Sequence, residues 1–424
     1  MSNYISGNID LNTFFSIQQE RLNRMPSYRR YIYGAVNDAL SQRLIGILGS
    51  RGVGKTTLML QIIKQRFGIS DKALYISIDH PYFEANPLYE FAEYFSKYGG
   101  KLLCIDEVHK YSDWSNHIKA IYDDIPNLQI IFSGSSILQL SKQKGDLSRR
   151  AIIYQLCGLS FREYLNIAYG FDFKSFGIED ILKNHIAIGS KIIGDFDIKE
   201  MKILPIFKEY LDIGYYPFVF EGKEFYKQKL TEILNNTLET DLPFTAAIAI
   251  RQISKLKKLL YLLAKSVPFI PDITELARST DISRPTIYDY LEKLKDARVL
   301  LLLQKVGTGY QSLSKPDKLY LENTNLMGAL SLTHDKGTMR ETFFANQIIN
   351  AYAGYADNRF SANELIAIPK NGDFLIKGRW TFEVGGKNKK EKQISGIPDS
   401  YILADEITIG FGKRIPLWLM GFLY

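Results

Sequence analysis

The chain has 424 residues, enough for about three domains, and its 46% hydrophobic and 23% charged residues are the proportions of an ordinary globular protein. Its formal net charge is only +7, no apolar run approaches the roughly 18 residues of a membrane-spanning helix, and the first residues lack the basic and apolar stretches of a secretory signal. Cys104 and Cys157 offer neither a disulfide framework nor a zinc site, so the composition predicts a cytoplasmic protein with no membrane partner.

Residues 1–42 are predicted to be a helical lead-in with a break near Pro26. After it, short apolar runs alternate with longer amphipathic ones. This pattern predicts strands at 44–48, 73–78, 101–105, 128–132 and 152–156 and helices at 55–67, 87–98, 114–124 and 136–142. Such alternation is typical of an α/β fold with a parallel sheet covered on both faces, and we predict one domain at 43–165.

Beyond residue 165, apolar residues recur every three or four positions, as they do in helices. We predict a helical region at 166–245, helices followed by a strand pair at 246–338, and a final domain at 339–424 that begins with a helix and continues as strands. The segment 251–320 holds 13 Lys and Arg against 7 Asp and Glu, a weak indication of a polyanionic partner. A solvated surface explains the same excess equally well.

The strongest signal is the segment Gly49-Ser50-Arg51-Gly52-Val53-Gly54-Lys55-Thr56, which follows the first predicted strand and opens a helix. It matches the phosphate-binding loop pattern at each required position. Its glycines let successive N–H groups curl around phosphates, and the helix N-terminus favours the same negative charge. Lys55 supplies an ammonium group and Thr56 a hydroxyl ligand for Mg²⁺. We predict that residues 49–57, Thr57 included, bind a nucleotide.

Two carboxylates, Asp106 and Glu107, follow the strand predicted at 101–105. Ligands bind at the carboxyl ends of parallel strands, so Asp106 is predicted to hold Mg²⁺ through its water shell and Glu107 to polarise the attacking water. A nucleotide kinase has no use for a water-activating glutamate at this place, and the sequence lacks the Asn-Lys-x-Asp motif that reads guanine. These residues therefore predict ATP hydrolysis.

Other side chains near the same sheet are further candidates. Ser133, at the tip of the strand predicted at 128–132, is expected either to sense the γ-phosphate or position the water, or to cap the next helix. Arg149 and Arg150 precede the fifth strand, and one of them is expected to act on the nucleotide as a sensor or as a finger across a subunit boundary. The alternative is an ordinary surface arginine.

The segments GSRGVGKTT, LLCIDEVHK, IIFSGSSILQLSK and LSRRAIIYQLCGLSFREYL closely resemble those of a widespread prokaryotic family of AAA-superfamily ATPases. In that family a P-loop domain leads into a winged helix and a carboxyl-terminal domain of unknown function with a nuclease-like fold. The resemblance extends from about Arg43 to Tyr424 and implies the ATPase strand order, a helical lid, and ATP with Mg²⁺ as cofactors. It aligns Arg150 with the family's arginine, and it assigns the nucleotide and hydrolysis roles to Gly54, Lys55, Thr56, Asp106, Glu107 and Ser133.

A helix-turn-helix is predicted near residues 273–294, where Ser283 is a credible N-cap and Pro285 fits a first helical turn. Gly307-Thr308-Gly309 would form the wing between the two following strands. The outward residues of the second helix are predicted to be Arg284, Thr286, Tyr288, Asp289 and Lys293. Such residues enter the major groove in DNA-binding domains, so DNA is a predicted partner. The alternative is a module that packs on the ATPase and transmits its nucleotide state.

The carboxyl-terminal segment carries Asp373 and Glu383 on strands predicted to be neighbours, with Lys387 after two glycines. Two carboxylates and a lysine are typical of restriction nucleases, in which the acids hold Mg²⁺ and the lysine steadies the attacking water. Glu341 would add a third carboxylate. That pattern places the lysine two residues after the glutamate, where this chain has Gly385, so we predict a degenerate nuclease-like fold.

Together these features predict a Mg²⁺-dependent ATPase that acts as a nucleotide-driven switch, with DNA, a protein or further copies of the chain as partners. Two other hypotheses stay open. One is an ATP-regulated nuclease that uses the acidic pair and the lysine of the final domain. The other is a signalling scaffold that binds nucleotide with little turnover.

Overall fold

The computed structural model describes residues 10–134, 147, 149–243, 248–266, 272–307, 316–330, 335–353 and 362–424. It divides the chain into two compact units, Met1–Leu156 and Cys157–Tyr424. The helix predicted at 136–142 and part of the predicted wing, Thr308 and Gly309, lie outside the described residues. The finer division of the chain into five segments stays a prediction.

A five-stranded parallel sheet forms the centre of the first unit, with the strand order β2-β3-β4-β1-β5. Strands β1 and β3 are buried along their whole length, which explains why their sequences are continuous apolar runs instead of alternating ones. The predicted α/β fold and the ATPase strand order are confirmed. The strands are β1 (Leu44–Leu48), β2 (Ala73–Ser77), β3 (Leu102–Asp106), β4 (Gln129–Gly134) and β5 (Ile152–Gln155).

Helices cover this sheet, and the lead-in forms two of them, separated by the segment that contains Pro26. The first, α1, packs along the edge strand β2. The helices of the first unit are α1 (Leu11–Asn23), α2 (Tyr33–Asp38), α3 (Lys55–Arg66), α4 (Tyr82–Ala85), α5 (Leu88–Lys97) and α6 (Trp114–Asp124).

The second unit is mainly helical in its first half. The longest of these helices extends from Ile178 to Ile198, and Ile192 and Phe196 continue its buried stripe toward its end. Ser283 caps α13 as expected, by accepting a hydrogen bond from the amide of Thr286. The helices up to this point are α7 (Phe161–Tyr169), α8 (Ile178–Ile198), α9 (Ile203–Ile213), α10 (Tyr226–Asn236), α11 (Ile253–Ser266), α12 (Ile273–Thr280) and α13 (Arg284–Asp296).

Two sheets follow α13. Strands β6 (Leu300–Leu303) and β7 (Lys318–Leu321) pair antiparallel, and a mixed sheet has the order β12-β11-β10-β9-β8. In the mixed sheet, β9 is antiparallel to both of its neighbours, whereas β10, β11 and β12 run parallel. The remaining elements are α14 (Thr324–Leu330), α15 (Lys336–Ala353), α16 (Ala362–Leu365), β8 (Ile366–Ala367), β9 (Phe374–Ile376), β10 (Trp380–Gly385), β11 (Ser400–Ala404) and β12 (Arg414–Pro416).

Candidate nucleotide-binding site

The phosphate loop, residues 49–56, connects the end of β1 to the start of α3. Gly54 precedes the helix with φ +98°, a conformation that side chains other than glycine rarely adopt. At Gly49, a Cβ atom would lie 2.2 Å from the carbonyl oxygen of Leu156. Glycine is therefore required at both positions by geometry, and the predicted strand–loop–helix context is present.

Lys55 and Thr56 occupy the first two positions of α3. The Lys55 side chain is 5% exposed, and its Nζ donates to the carbonyl oxygens of Gly49 (2.9 Å) and Ser50 (3.1 Å). Thr56 Oγ1 donates to Asp106 Oδ2 at 2.5 Å. The Lys55 ammonium is thus held at the phosphate loop, and the Thr56 hydroxyl contacts Asp106, the carboxylate that is predicted to hold Mg²⁺ together with it.

Asp106 ends β3 and is 3% exposed. Its Oδ2 also accepts a hydrogen bond from Tyr75 (2.8 Å), and its Oδ1 accepts one from the hydroxyl of Ser133 and one from the amide of Glu107 (3.1 Å). The hydroxyl of Thr56 and the carboxylate of Asp106 are hard oxygen donors, which suit Mg²⁺ held partly by phosphates and water. These two residues therefore fit the ion that the sequence implies.

Glu107 lies one residue beyond the strand in a left-handed conformation, with φ 58°. Its carboxylate is 4.0 Å from Lys55 Nζ, 3.6 Å from Arg51 NH2 and 3.8 Å from Lys110 Nζ. Its Oε2 is buried and accepts no hydrogen bond from any described residue. A carboxylate oxygen without a hydrogen-bond donor beside the phosphate loop is suited to accept a proton from water.

His109 approaches the same oxygen of Glu107, with Nε2 at 3.7 Å. Burial, followed by the positive charges of Lys55, Lys110 and Arg51, lowers the pKa of His109 to about 3. The imidazole is therefore neutral near pH 7, and it contributes no positive charge next to Glu107.

Some predicted residues come together in this way and others do not. Lys55, Thr56, Asp106, Glu107 and Ser133 form one hydrogen-bonded and charged group. Arg150 precedes β5, which is parallel to β1, so it lies at the amino end of the strands, whereas the phosphate loop follows their carboxyl end. Its guanidinium pairs with Asp123 at 3.0 and 3.1 Å. Arg150 does not reach the phosphate loop of its own chain, so its predicted role across a subunit boundary stays a prediction.

Two side chains that support the site were not singled out from the sequence. Arg30, 4% exposed, donates from NH1 to the carbonyl oxygen of Val53 in the phosphate loop at 2.5 Å. Tyr75, 3% exposed, hydrogen bonds to Asp106. Each comes from a segment that carries no motif. A lone arginine before β1 or a tyrosine in a strand gives no usable sequence signal.

A second group of charged residues lies at the mixed sheet of the second unit, where Asp373 precedes β9 and Glu383 lies on β10. The amide of Asp373 donates to the carbonyl of Phe382, which places the two acids across neighbouring strands. The lysine beside Glu383 is Lys389, whose Nζ lies 2.6 Å from Oε1 of the glutamate. The candidate that the sequence pattern offered for this place was Lys387. The turn after Gly385 folds back and brings the later residue to the acid. Burial, followed by the charge of Glu341, raises the pKa of Asp373 to about 6.

Within the described ranges, no three His, Cys, Asp or Glu side chains form a cluster that could hold a metal ion by itself. The helices in the same part of the chain include none that is long and apolar enough to cross a membrane.

The chain is similar to known families and proteins. A family model described as an AAA domain matches residues 41–165, and another, described as a domain of unknown function (DUF8612), matches residues 204–337. Two proteins of Methanocaldococcus jannaschii are similar. Uncharacterized protein MJ1637 is 27% identical over 374 residues, which cover 83% of this chain and 77% of that protein. Uncharacterized protein MJ1544 is 26% identical over 346 residues, which cover 78% and 71%.

Among solved structures, AMPPCP-bound DnaA from Aquifex aeolicus is 18% identical, with a TM-score of 0.28 and coverage of 64% of this chain and 88% of that one. The family match, the order of the parallel sheet and the phosphate loop agree with one another. Residues 41–165 of this chain match the AAA domain family and have the sheet order and phosphate loop of P-loop ATPases.

Proposed function

We propose that this chain binds ATP together with Mg²⁺ and hydrolyses it. The observation that carries the proposal is the 2.5 Å hydrogen bond between Thr56 and Asp106. Glu107 is the next residue in the chain, and Lys55 Nζ lies 4.0 Å from its carboxylate. These groups come from two segments that are 50 residues apart in the chain. A phosphate-binding lysine, a hydroxyl and a carboxylate that hold Mg²⁺, and a water-activating carboxylate are the parts that ATP hydrolysis needs.

The residues have distinct parts in this reaction. Backbone N–H groups of the phosphate loop and of the start of α3 bind the phosphates, and Lys55 exchanges its two carbonyl acceptors for phosphate oxygens. Thr56 and Asp106 would hold Mg²⁺, which neutralises charge on the phosphate oxygens when bound. Glu107 accepts a proton from the water that attacks the γ-phosphorus, while the bond from that phosphorus to the bridging oxygen of ADP breaks.

Variants of two residues test the assignment. Glu107→Gln should bind ATP and lose phosphate release by at least about 100-fold, because general-base catalysis contributes that much, whereas Lys55→Ala should lose both. Glu93→Gln and Lys97→Ala, an exposed pair on α5, are matched controls that should behave as the parent. Parent-like turnover by Glu107→Gln would refute the role of Glu107.

Calorimetry of the parent protein with ATP and Mg²⁺ separates the remaining hypotheses. Binding with steady phosphate release supports the enzyme. Binding without release supports the scaffold that binds nucleotide with little turnover. No binding refutes the proposal as a whole.

We propose further that nucleotide turnover acts as a switch on DNA association through the helix-turn-helix. The charge available for this is smaller than the sequence suggests, because two of the lysines are paired: Lys293 lies 2.6 Å from Asp289 and Lys255 lies 2.6 Å from Asp281. Arg278 and Arg284 make no ion pair with any described residue. These two arginines are the expected phosphate contacts.

The salt dependence of binding tests this part of the proposal. Two phosphate contacts predict that the affinity for duplex DNA falls with a log–log slope of about −2 against salt concentration, and that an Arg278→Ala, Arg284→Ala double variant removes most of the slope. Fluorescence anisotropy of a labelled duplex, between low and moderate salt, measures this slope. A flat response in the parent would remove DNA from the proposal.

The second candidate function, an ATP-regulated nuclease, is favoured by one specific observation. Lys389 reaches Glu383, so the lysine that seemed missing from this acidic pair is supplied by the following turn. Mg²⁺-dependent cleavage of plasmid and single-stranded DNA is the test, with Glu383→Ala and Lys389→Ala expected to abolish it and Glu391→Ala, at an exposed position, as the control. Cleavage that survives in both variants would refute this candidate.

A further inference from the structure

A chain of hydrogen bonds connects α1 to the carboxylate that is proposed to hold Mg²⁺. Arg21 NH1 donates to the phenol oxygen of Tyr75 at 2.8 Å, and Tyr75 donates in turn to Asp106 Oδ2 at 2.8 Å. The Arg21 guanidinium also lies over the Tyr75 ring, 4.9 Å from its centroid. The lead-in, which carries no motif, is thereby joined to the nucleotide site.

The position of α1 is fixed by the sheet. Strand β2 is an edge strand, so one row of its backbone groups has no neighbouring strand to pair with. Gln18 on α1 satisfies two of these groups: its Nε2 donates to the carbonyl of Ala73 at 3.1 Å, and its Oε1 accepts from the amide of Tyr75 at 2.6 Å. One turn later on the same helix, Arg21 therefore meets Tyr75 in a defined register.

The direction of the hydrogen bonds is also fixed. A guanidinium has donors and no acceptor, so Arg21 occupies a lone pair of the Tyr75 oxygen and leaves the phenol hydrogen for Asp106. A phenol has an ordinary pKa near 10, so Tyr75 keeps this hydrogen at neutral pH. Tyr75 is a committed donor to one oxygen of Asp106.

We propose that Tyr75 and Arg21 are positioning residues for Mg²⁺: they hold the Asp106 carboxylate in the orientation in which it binds the ion beside Thr56. This inference rests on the proposed ATPase function and adds residues to it. Groups that hydrogen bond to a metal ligand orient that ligand, and removing one costs about 10- to 100-fold in metal affinity. A Tyr75 that only filled space would affect stability and leave the Mg²⁺ requirement unchanged.

The test measures how nucleotide binding depends on Mg²⁺, without any need for turnover. A fluorescent ATP analogue is titrated into the full chain, first with chelator and then at increasing Mg²⁺. Tyr75→Phe should require about 10- to 100-fold more Mg²⁺ for half of the Mg²⁺-dependent gain in affinity. Its affinity in chelator should equal that of the parent. Arg21→Met should shift the requirement in the same direction by a smaller factor.

Two features keep the test decisive. Arg21 is exposed, so Arg21→Met retains the fold even if Tyr75→Phe does not. Tyr98→Phe, at a phenol that is 66% exposed, is the matched control. A parent-like Mg²⁺ requirement in Arg21→Met or in folded Tyr75→Phe overturns the inference and leaves the ATPase proposal standing. A parent protein whose nucleotide binding ignores Mg²⁺ refutes that proposal first.

Discussion

At the scale of single residues, the site places a neutral imidazole next to Glu107, the carboxylate that we propose as the general base. His109 is 2% exposed, and its pKa is lowered to about 3, chiefly by burial. In the unfolded chain a histidine titrates near pH 6.5. Between these two values the unfolded state binds a proton that the folded state does not, so the free energy of unfolding falls as the pH drops through this window, by about 1.4 kcal/mol per pH unit.

This difference predicts how a His109→Asn variant responds to acid. Between pH 7 and pH 5 the parent should lose about 2 kcal/mol of stability through His109, and the variant should lack that loss. Urea unfolding at both pH values, followed by circular dichroism, measures it, and His117→Asn on α6 is the control. If parent and His109→Asn show the same pH dependence, His109 is not the group responsible.

At the scale of elements, the junction of β1 and α3 sets the shape of the phosphate loop. A Cβ at Gly49 would lie 2.2 Å from the Leu156 carbonyl, so Gly49→Ala must displace the backbone that cradles the phosphates. We expect ATP affinity to fall by at least about tenfold, since loss of even one charge-assisted hydrogen bond to a phosphate costs about 1.5–3 kcal/mol.

Gly34 in α2 provides the matched control, because a Cβ there would meet no atom within 4 Å. Gly34→Ala should bind ATP as the parent does and gain up to about 1 kcal/mol of stability from the reduced freedom of its unfolded chain. Calorimetric titration compares the two variants. Parent-like affinity in a folded Gly49→Ala protein would contradict the role given to this close contact.

The strands and loops of this fold also show which features a sequence can predict. The parallel strands were predicted to within about two residues, because buried strands need continuous apolar runs. The phosphate loop was predicted because its chemistry restricts the type of residue at nearly every position. The contact between Arg21 and Tyr75 joins residues 54 apart through packing of α1 on β2, and no local pattern encodes it. Lys389 was missed for a similar reason: the turn after Gly385 decides which lysine reaches Glu383.

At the scale of the whole molecule, the position of Arg150 bears on assembly. This residue lies at the amino end of the parallel strands, beside Asp123, whereas the phosphate loop of its own chain follows their carboxyl end. An arginine there acts on a nucleotide only if that nucleotide is bound to another copy of the chain. If Arg150 has the role predicted for it, the proposed ATPase is complete only in an oligomer, and we expect its specific activity to rise with protein concentration.

Mixing two impaired variants tests this arrangement. Arg150→Ala should bind ATP as the parent does but release phosphate at least about tenfold more slowly, because a guanidinium on the transferring phosphoryl group contributes that much or more. Lys55→Ala should bind no ATP. In a mixture, the Arg150 of the Lys55→Ala chain completes the intact site of the Arg150→Ala chain, so activity should exceed the sum of the separate proteins. A mixture that is merely additive would contradict an arginine acting between subunits, and an Arg150→Ala protein with full turnover would remove Arg150 from the reaction.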